Sequence, residues 1–379
     1  MPSLSRLPAS TPAAIEPHRR VDNPSHCGSP TLYLHVGLHK TGTTAFQRAA
    51  ACAADSQPLL YPHFDKRTEG DFSHNILVGY MQTHRATCRK NPAACDPGVP
   101  ATHEMRMLRE LFQERWRTAT VLLSAEEFAR ELVHDDRARQ WQDLCSGFPT
   151  VRVALVLRRF DHLRNSVASE KSKTSFHGNL LSGPRGWGYV CYDVSALLRL
   201  ASSFGWRVDI FSYDRLTAEG TLVQELGNWC GLVTDGLPSA SIKTRANAKF
   251  HRRKTLFCSL LDKTQLSVGQ REGLVRSLDR SSAIADDGVE FLYSPQELDA
   301  FYASTKRLNA AALMAAGIHD IDEFFNYRPL EPDTRWIPPR LPTAAEIATA
   351  RADILVDTGI DIAALCLDPA QTYASESIS

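Results

Sequence analysis

The stretch Thr31-Leu32-Tyr33-Leu34-His35-Val36-Gly37-Leu38-His39-Lys40-Thr41-Gly42-Thr43-Thr44 decides how this chain is read. It opens on a short apolar run of the kind that forms a strand buried on both faces. Gly37 and Gly42 then bracket a tight loop, and a helical pattern begins at Thr43. A strand feeding a helix through such a loop aims the first helical N–H groups and the positive end of the helix dipole at one point, where an anion binds. Lys40 adds a full positive charge there, Gly42 lets the backbone approach the ligand, and Thr43 and Thr44 offer a helix cap and hydroxyl donors. Residue order separates two kinds of phosphate chemistry. In a nucleotide-hydrolysing loop a lysine directly follows the second glycine, and the Ser or Thr after it holds magnesium. Here Thr43 takes that position and the lysine stands two residues before Gly42. Its charge lies inside the loop, suited to a bridging oxygen and not to straddling β- and γ-phosphates.

Three further apolar runs read as strands: Thr118 to Ser124, Val151 to Leu157 and Arg207 to Phe211. Helical patterns follow the four strands at Thr43 to Ala54, Ala125 to Val133, Asp161 to Lys173 and Thr217 to Cys230. This alternation predicts an α/β fold, a doubly wound and mainly parallel sheet of about four to five strands with helices on both faces. Ligands of such sheets bind at the carboxyl ends of the strands. Residues 55–100 and 174–190, with many Gly, Pro, His and Asn, read as loops or broken helices covering that edge and setting acceptor specificity. Beyond about Ala285 the pattern is helical and irregular, with a proline-rich stretch from Trp336 to Pro342 before a last weak helix near Ala344 to Leu355. Three segments follow: a disordered leader over 1–29, rich in Pro, Ser and Ala, a main domain over 30–330, and a C-terminal extension over 331–379.

Composition narrows the partners. Lys plus Arg and Asp plus Glu both number 43, so no global field favours nucleic acid or a membrane surface, and any anion is held locally. Nine cysteines are scattered without a CxxC pair, which argues against a disulfide framework or a zinc site and for a reducing compartment. No stretch approaches about eighteen apolar residues, and the first thirty residues hold six prolines and no apolar core of a signal peptide. The expectation is a soluble, cytoplasmic protein without a membrane span; oligomeric state is not legible.

A second anchor lies at Val151-Arg152-Val153-Ala154-Leu155-Val156-Leu157-Arg158-Arg159, a β-branched run ending in two guanidinium groups at the edge where ligand is expected. An arginine fork matches two phosphate oxygens, and the residues alone do not choose between the two.

With both anchors in order, the chain resembles the superfamily of sulfotransferases that use 3′-phosphoadenosine-5′-phosphosulfate (PAPS), diffusely over roughly residues 31–260. The match to bacterial members, whose loop reads His-Lys-Thr-Gly-Thr-Thr, is complete from His39 to Thr44. The resemblance implies a P-loop NTPase-like sheet and PAPS as cofactor without a metal. It implies the phosphosulfate on His39, Lys40, Thr41, Gly42, Thr43 and Thr44, with Lys40 stabilising the departing bisphosphate. It also implies a 3′-phosphate motif of a strand-closing arginine and a serine eight residues later, which Arg158 and Ser166 fit. The acceptor it implies is a small molecule or, most reasonably, a carbohydrate. Ile210 to Leu216 resembles the family's later strand and a Tyr-Glu-Arg-Leu-like corner, with Asp214 in the acidic position, and is expected to shape the fold. Lys243 to Lys254 resembles the segment that closes over the 3′-phosphate; a solvated basic face is an equal reading for most of its cations.

Transfer to a hydroxyl or amine needs a proton acceptor. Glu126 and Glu127 follow the second long strand, with Glu126 nearer its end, and both also sit where a helix dipole favours acids. His74 titrates near neutral pH without tuning, and a structural histidine is a comparable reading. Asp65 and Glu69 are minor candidates. Tyr61, Trp187, Tyr189 and Tyr192 suit stacking on sugars as readily as a core. Other functional classes are a P-loop kinase or nucleotide-binding protein, against which the lysine's position speaks, and a non-catalytic protein that binds PAPS or its desulfated product.

Overall fold

The computed structural model describes residues 29–38, 41–54, 58–62, 73–91, 102–174, 193–234, 250–329 and 336–365. The leader falls outside them but for its last residue. In chain order the first elements are strand β1 (Thr31–Gly37), helix α1 (Thr43–Ala54), strand β2 (Leu59–Leu60), α2 (Asn75–Lys90) and α3 (His103–Arg109), which runs on into a π-helical turn. Then come β3 (Thr120–Ala125), α4 (Glu127–Leu132), α5 (Asp135–Cys145), β4 (Thr150–Leu157), α6 (Phe160–Lys173), α7 (Ser195–Ser203), β5 (Arg207–Ser212), α8 (Tyr213–Glu219) and α9 (Leu222–Cys230). The last helices are α10 (Arg252–Ser259), α11 (Val268–Arg280), α12 (Pro295–Ala315), α13 (Ile321–Phe325) and α14 (Ala344–Thr358).

Five strands form one parallel sheet in the order β2-β3-β1-β4-β5. The expected strands are all present. The fifth, β2, is two residues long and too short to leave a pattern in the sequence. Two other departures stand out. Residues 75–90, expected to be loop or broken helix, form a continuous helix with Leu77, Val78, Met81 and His84 buried at helical spacing. The predicted helix from Thr217 to Cys230 is two helices, divided where Gly220 caps α8 in the left-handed region at φ 71°. Cys88 on α2 is disulfide-bonded, against the expectation from spacing, while Cys52, Cys145, Cys230 and Cys258 are free thiols.

The chain divides into two compact units. The first holds residues 1–158, 190–244 and 307–327, and so the whole sheet. Alternate residues of its strands, Tyr33, Leu122, Ala154, Val156 and Phe211, pack with Phe46, Ala50 and Ala53 of α1 and with Leu226, Trp229 and Cys230 of α9. Burying Phe46 alone contributes about 2–3 kcal/mol. Helix α4 packs on β1 and α7 on β5, covering the other face. Below this core Arg152 donates to Asp209 (Nη2 to Oδ2, 2.7 Å), which also accepts from Trp229 Nε1 at 2.8 Å. The chain leaves β1 toward β2 on one side and later reaches β4 on the other, so the winding reverses around β1. In sheets of this kind ligands bind beside such a reversal, outside the carboxyl ends of the strands.

The second unit holds residues 159–189, 245–306 and 328–379. Phe250, Phe257, Leu261, Leu274 and Leu278 pack there with Ala350, Ile354 and Ile362. The stretch set apart as a C-terminal extension is thus part of that unit's core. Lys263 is buried and caps the end of α10, donating to the carbonyls of Cys258 and Leu261. Among the described residues, no helix is long and apolar enough to cross a membrane.

A candidate anion site at the carboxyl edge of the sheet

The site begins where β1 ends. Parallel register sets Val36 beside Ala125 of β3 and Gly37 beside Val156 of β4. The loop after β1 therefore emerges between Glu126, just past β3, and Arg158, just past β4. His39 and Lys40 lie outside the described residues. Thr41 is fully buried and its hydroxyl donates to the Leu38 carbonyl at 2.6 Å, so its proton closes the turn and does not reach a ligand. Gly42 caps α1: its carbonyl accepts from the N–H groups of Ala45 (3.0 Å) and Phe46 (3.2 Å).

Gly42 is required twice over. Its φ is 75°, and a Cβ there would lie 2.6 Å from Leu222 Cδ2 and 3.2 Å from Tyr213 Cε2. Gly37 is required for closeness: a Cβ on it would meet Thr43 Oγ1 at 2.2 Å. That hydroxyl oxygen is buried and has no hydrogen-bond partner among the described residues, and Thr43 as a whole is 1% exposed. A buried polar atom without a partner costs about 1–3 kcal/mol, a penalty that an oxyanion seated on the helix start removes. Helix α1 carries no acid in its first turn to compete for that role. Thr44 follows at the second helical position, half-buried.

At the β4 end the structure distinguishes the paired arginines. Arg159 donates from Nε (3.2 Å) and Nη2 (2.7 Å) to the two carboxylate oxygens of buried Asp161, so its fork is occupied. The Arg158 guanidinium instead lies 5.1 Å from the centroid of the Tyr213 ring. Tyr213 is the first residue beyond β5 and its ring also borders Gly42, so one aromatic side chain joins Arg158 to the anion loop. The sequence marks this segment as one that shapes the fold, and Tyr213 carries it to the loop after β1. Its place at a strand's carboxyl end was the available sign of that contact. Ser166 lies on the second turn of α6, half-buried.

Glu127 pairs with Arg130 at 3.0 Å on the surface of α4. Glu126 opens that helix without a side-chain capping bond and is half-buried. Comparison of the chain with models of known families, with curated proteins and with solved structures gives no match. The site therefore rests on its own chemistry.

For three groups of candidates the geometry shows structural contacts. His74 is 1% exposed; its Nδ1 accepts from the Ser124 backbone N–H at 2.8 Å and its Nε2 donates to the Pro62 carbonyl at 2.9 Å. Both nitrogens are engaged by the backbone, the structural alternative for this histidine. Tyr61 is 3% exposed and packs edge-on against His74 at 4.5 Å, a core residue and not a sugar platform. The cationic groups of Arg252, Arg253 and Lys254 have partners within the protein. Arg252 donates to Asp287 (2.8 Å) and the Ile337 carbonyl (2.7 Å), Arg253 pairs with Glu346 (2.7 Å), and Lys254 Nζ donates to the Asp279 carbonyl (2.8 Å). The remaining candidates, Asp65, Glu69, Trp187, Tyr189, Tyr192 and the basic residues 243–249, lie outside the described residues.

Proposed function

We propose that the protein is a sulfotransferase that moves a sulfuryl group from PAPS to a hydroxyl or amine of an acceptor, most reasonably a carbohydrate, on a P-loop-like sheet. One observation carries this reading: a helix start whose buried Thr43 hydroxyl, over Gly37, has no partner among the described residues, preceded in sequence by a lysine displaced into the loop. PAPS supplies an activated sulfuryl group on a phosphate leaving group. The chain's own residues do the rest. The α1 N–H groups, Thr43 and Thr44 hold the 5′ oxyanion, and Lys40 neutralises charge gathering on it as the bond to sulfur breaks. Arg158, braced on Tyr213, takes the 3′-phosphate. Glu126 receives the acceptor's proton as its oxygen or nitrogen bonds to sulfur.

The test is transfer of radiolabel from labelled PAPS to a panel of carbohydrates. Label incorporation is expected. Lys40→Ala should abolish it, and Glu126→Gln should lower kcat by about 10²–10⁴-fold with KM for PAPS nearly unchanged. Full activity of Glu126→Gln would remove Glu126 from the role assigned.

A further inference from the structure

Strand β3 has an unfinished outer edge. Its partner β2 reaches only to Leu60, opposite Val121, so among the described residues no strand flanks the last residues of β3 before Glu126 on that side. Residues of the next segment fill the gap. The His74 N–H donates to the Ser124 carbonyl (2.9 Å), and the Ser124 N–H donates back to His74 Nδ1 (2.8 Å). One histidine thus reproduces both bonds of a missing ladder rung. Its neighbour extends the grip past Glu126, because Asn75 Oδ1 accepts from the Glu127 N–H at 3.3 Å. From α1, Gln47 Nε2 donates to the same Ser124 carbonyl at 3.1 Å. The bond from Nε2 to the Pro62 carbonyl fixes the tautomer that leaves Nδ1 an acceptor.

We propose that His74, aided by Asn75, is a positioning residue that holds the corner carrying Glu126 at the sheet edge. The inference rests on the reading of Glu126 as proton acceptor. Its structural half stands on the hydrogen bonds alone. His74→Leu leaves the Ser124 N–H without its acceptor and frees the turn. His74→Asn offers an amide oxygen where Nδ1 was, restoring the acceptor but not a titrating base.

The experiment compares the full chain with both variants by hydrogen exchange at the Ser124 and Glu127 amides, by kcat and KM with PAPS, and by affinity for 3′-phosphoadenosine-5′-phosphate. His74→Leu should lose protection at both amides and about 10²-fold in kcat, with nucleotide affinity unchanged because the anion loop springs from β1. His74→Asn should recover most of both. An asparagine variant with recovered protection but a kcat as low as that of the leucine variant would overturn the proposal and return the imidazole to proton transfer. Unchanged protection and kcat in His74→Leu would overturn it as well. Should that variant fail to fold, Asn75→Ala removes only the Glu127 bond; a several-fold fall in kcat is expected, and none would contradict the proposal. A wild type that binds no nucleotide would defeat the functional reading, and the exchange data would still decide the clamp.

Discussion

Replacing His35 with asparagine isolates the energetics of an imidazole buried beneath the anion loop. His35 is fully buried, with Nδ1 2.7 Å from Ser124 Oγ, Nε2 without a hydrogen-bond partner among the described residues and the Phe46 ring edge-on at 4.9 Å. Burial pushes its pKa from 6.5 down to about 3. In that interval the unfolded chain carries a proton on this residue and the native protein does not, so stability falls as pH drops from 6.5 toward 3. Each unit of pH costs about 1.4 kcal/mol, or about 2.7 kcal/mol between pH 6.5 and 4.5. Asparagine keeps a polar partner for Ser124 and does not titrate. Its smaller volume adds an offset independent of pH. Urea unfolding of both proteins from about pH 7.5 to 4.5 should therefore give curves that converge on acidification, the wild type losing about one proton's worth of slope more than the variant. Parallel curves would refute the reasoning, because they would mean that His35 takes up its proton in the native protein.

The loop and the second unit give further expectations. Gly42→Ala forces an alanine to φ 75° and a Cβ to 2.6 Å from Leu222; a loss of about 2–4 kcal/mol in denaturant unfolding and a clear fall in nucleotide affinity are expected. Thr43→Val deletes the unpartnered hydroxyl at constant shape, so unfolding should show stability unchanged or raised by about 1 kcal/mol while nucleotide affinity in calorimetry drops about tenfold. The Arg253 fork holds the Glu346 carboxyl at about 2, below its ordinary 4.5, so the stability it contributes is present above pH 4.5 and lost as pH falls toward 2. Glu346→Gln should flatten acid unfolding in that window, read by circular dichroism.

Legibility followed the length of the pattern. Strands β1, β3 and β4 are mostly apolar runs buried over most of their length, and β5 alternates polar and apolar residues before its buried end, patterns that leave a trace in the sequence; the helix after β1 matches its expected bounds, Thr43 to Ala54. Strand β2 is a two-residue pairing with no periodicity of its own. Helix α2 is hard to read because Gly79, Gln82 and Thr83 stand between its buried positions in the sequence and weaken the helical signal until packing decides. At the site, the need for Gly37 and Gly42 was readable from motif chemistry. The duties of His74, Arg159 and the residues from Arg252 to Lys254 were not, since each depends on a partner distant in sequence or on which of two neighbouring side chains turns inward. A histidine in a polar stretch carries no mark of whether a backbone amide will claim it.

The central claim, that this edge holds a nucleotide bearing a 3′-phosphate and a 5′ oxyanion, is tested most directly by calorimetric titration. The ligands are 3′-phosphoadenosine-5′-phosphate, its 3′-dephospho analogue, and ATP with magnesium. Binding of the first in the micromolar range is predicted, with the dephospho analogue weaker by about 10–100-fold for the lost charge-assisted contact at Arg158. Preference for ATP with magnesium would contradict the account.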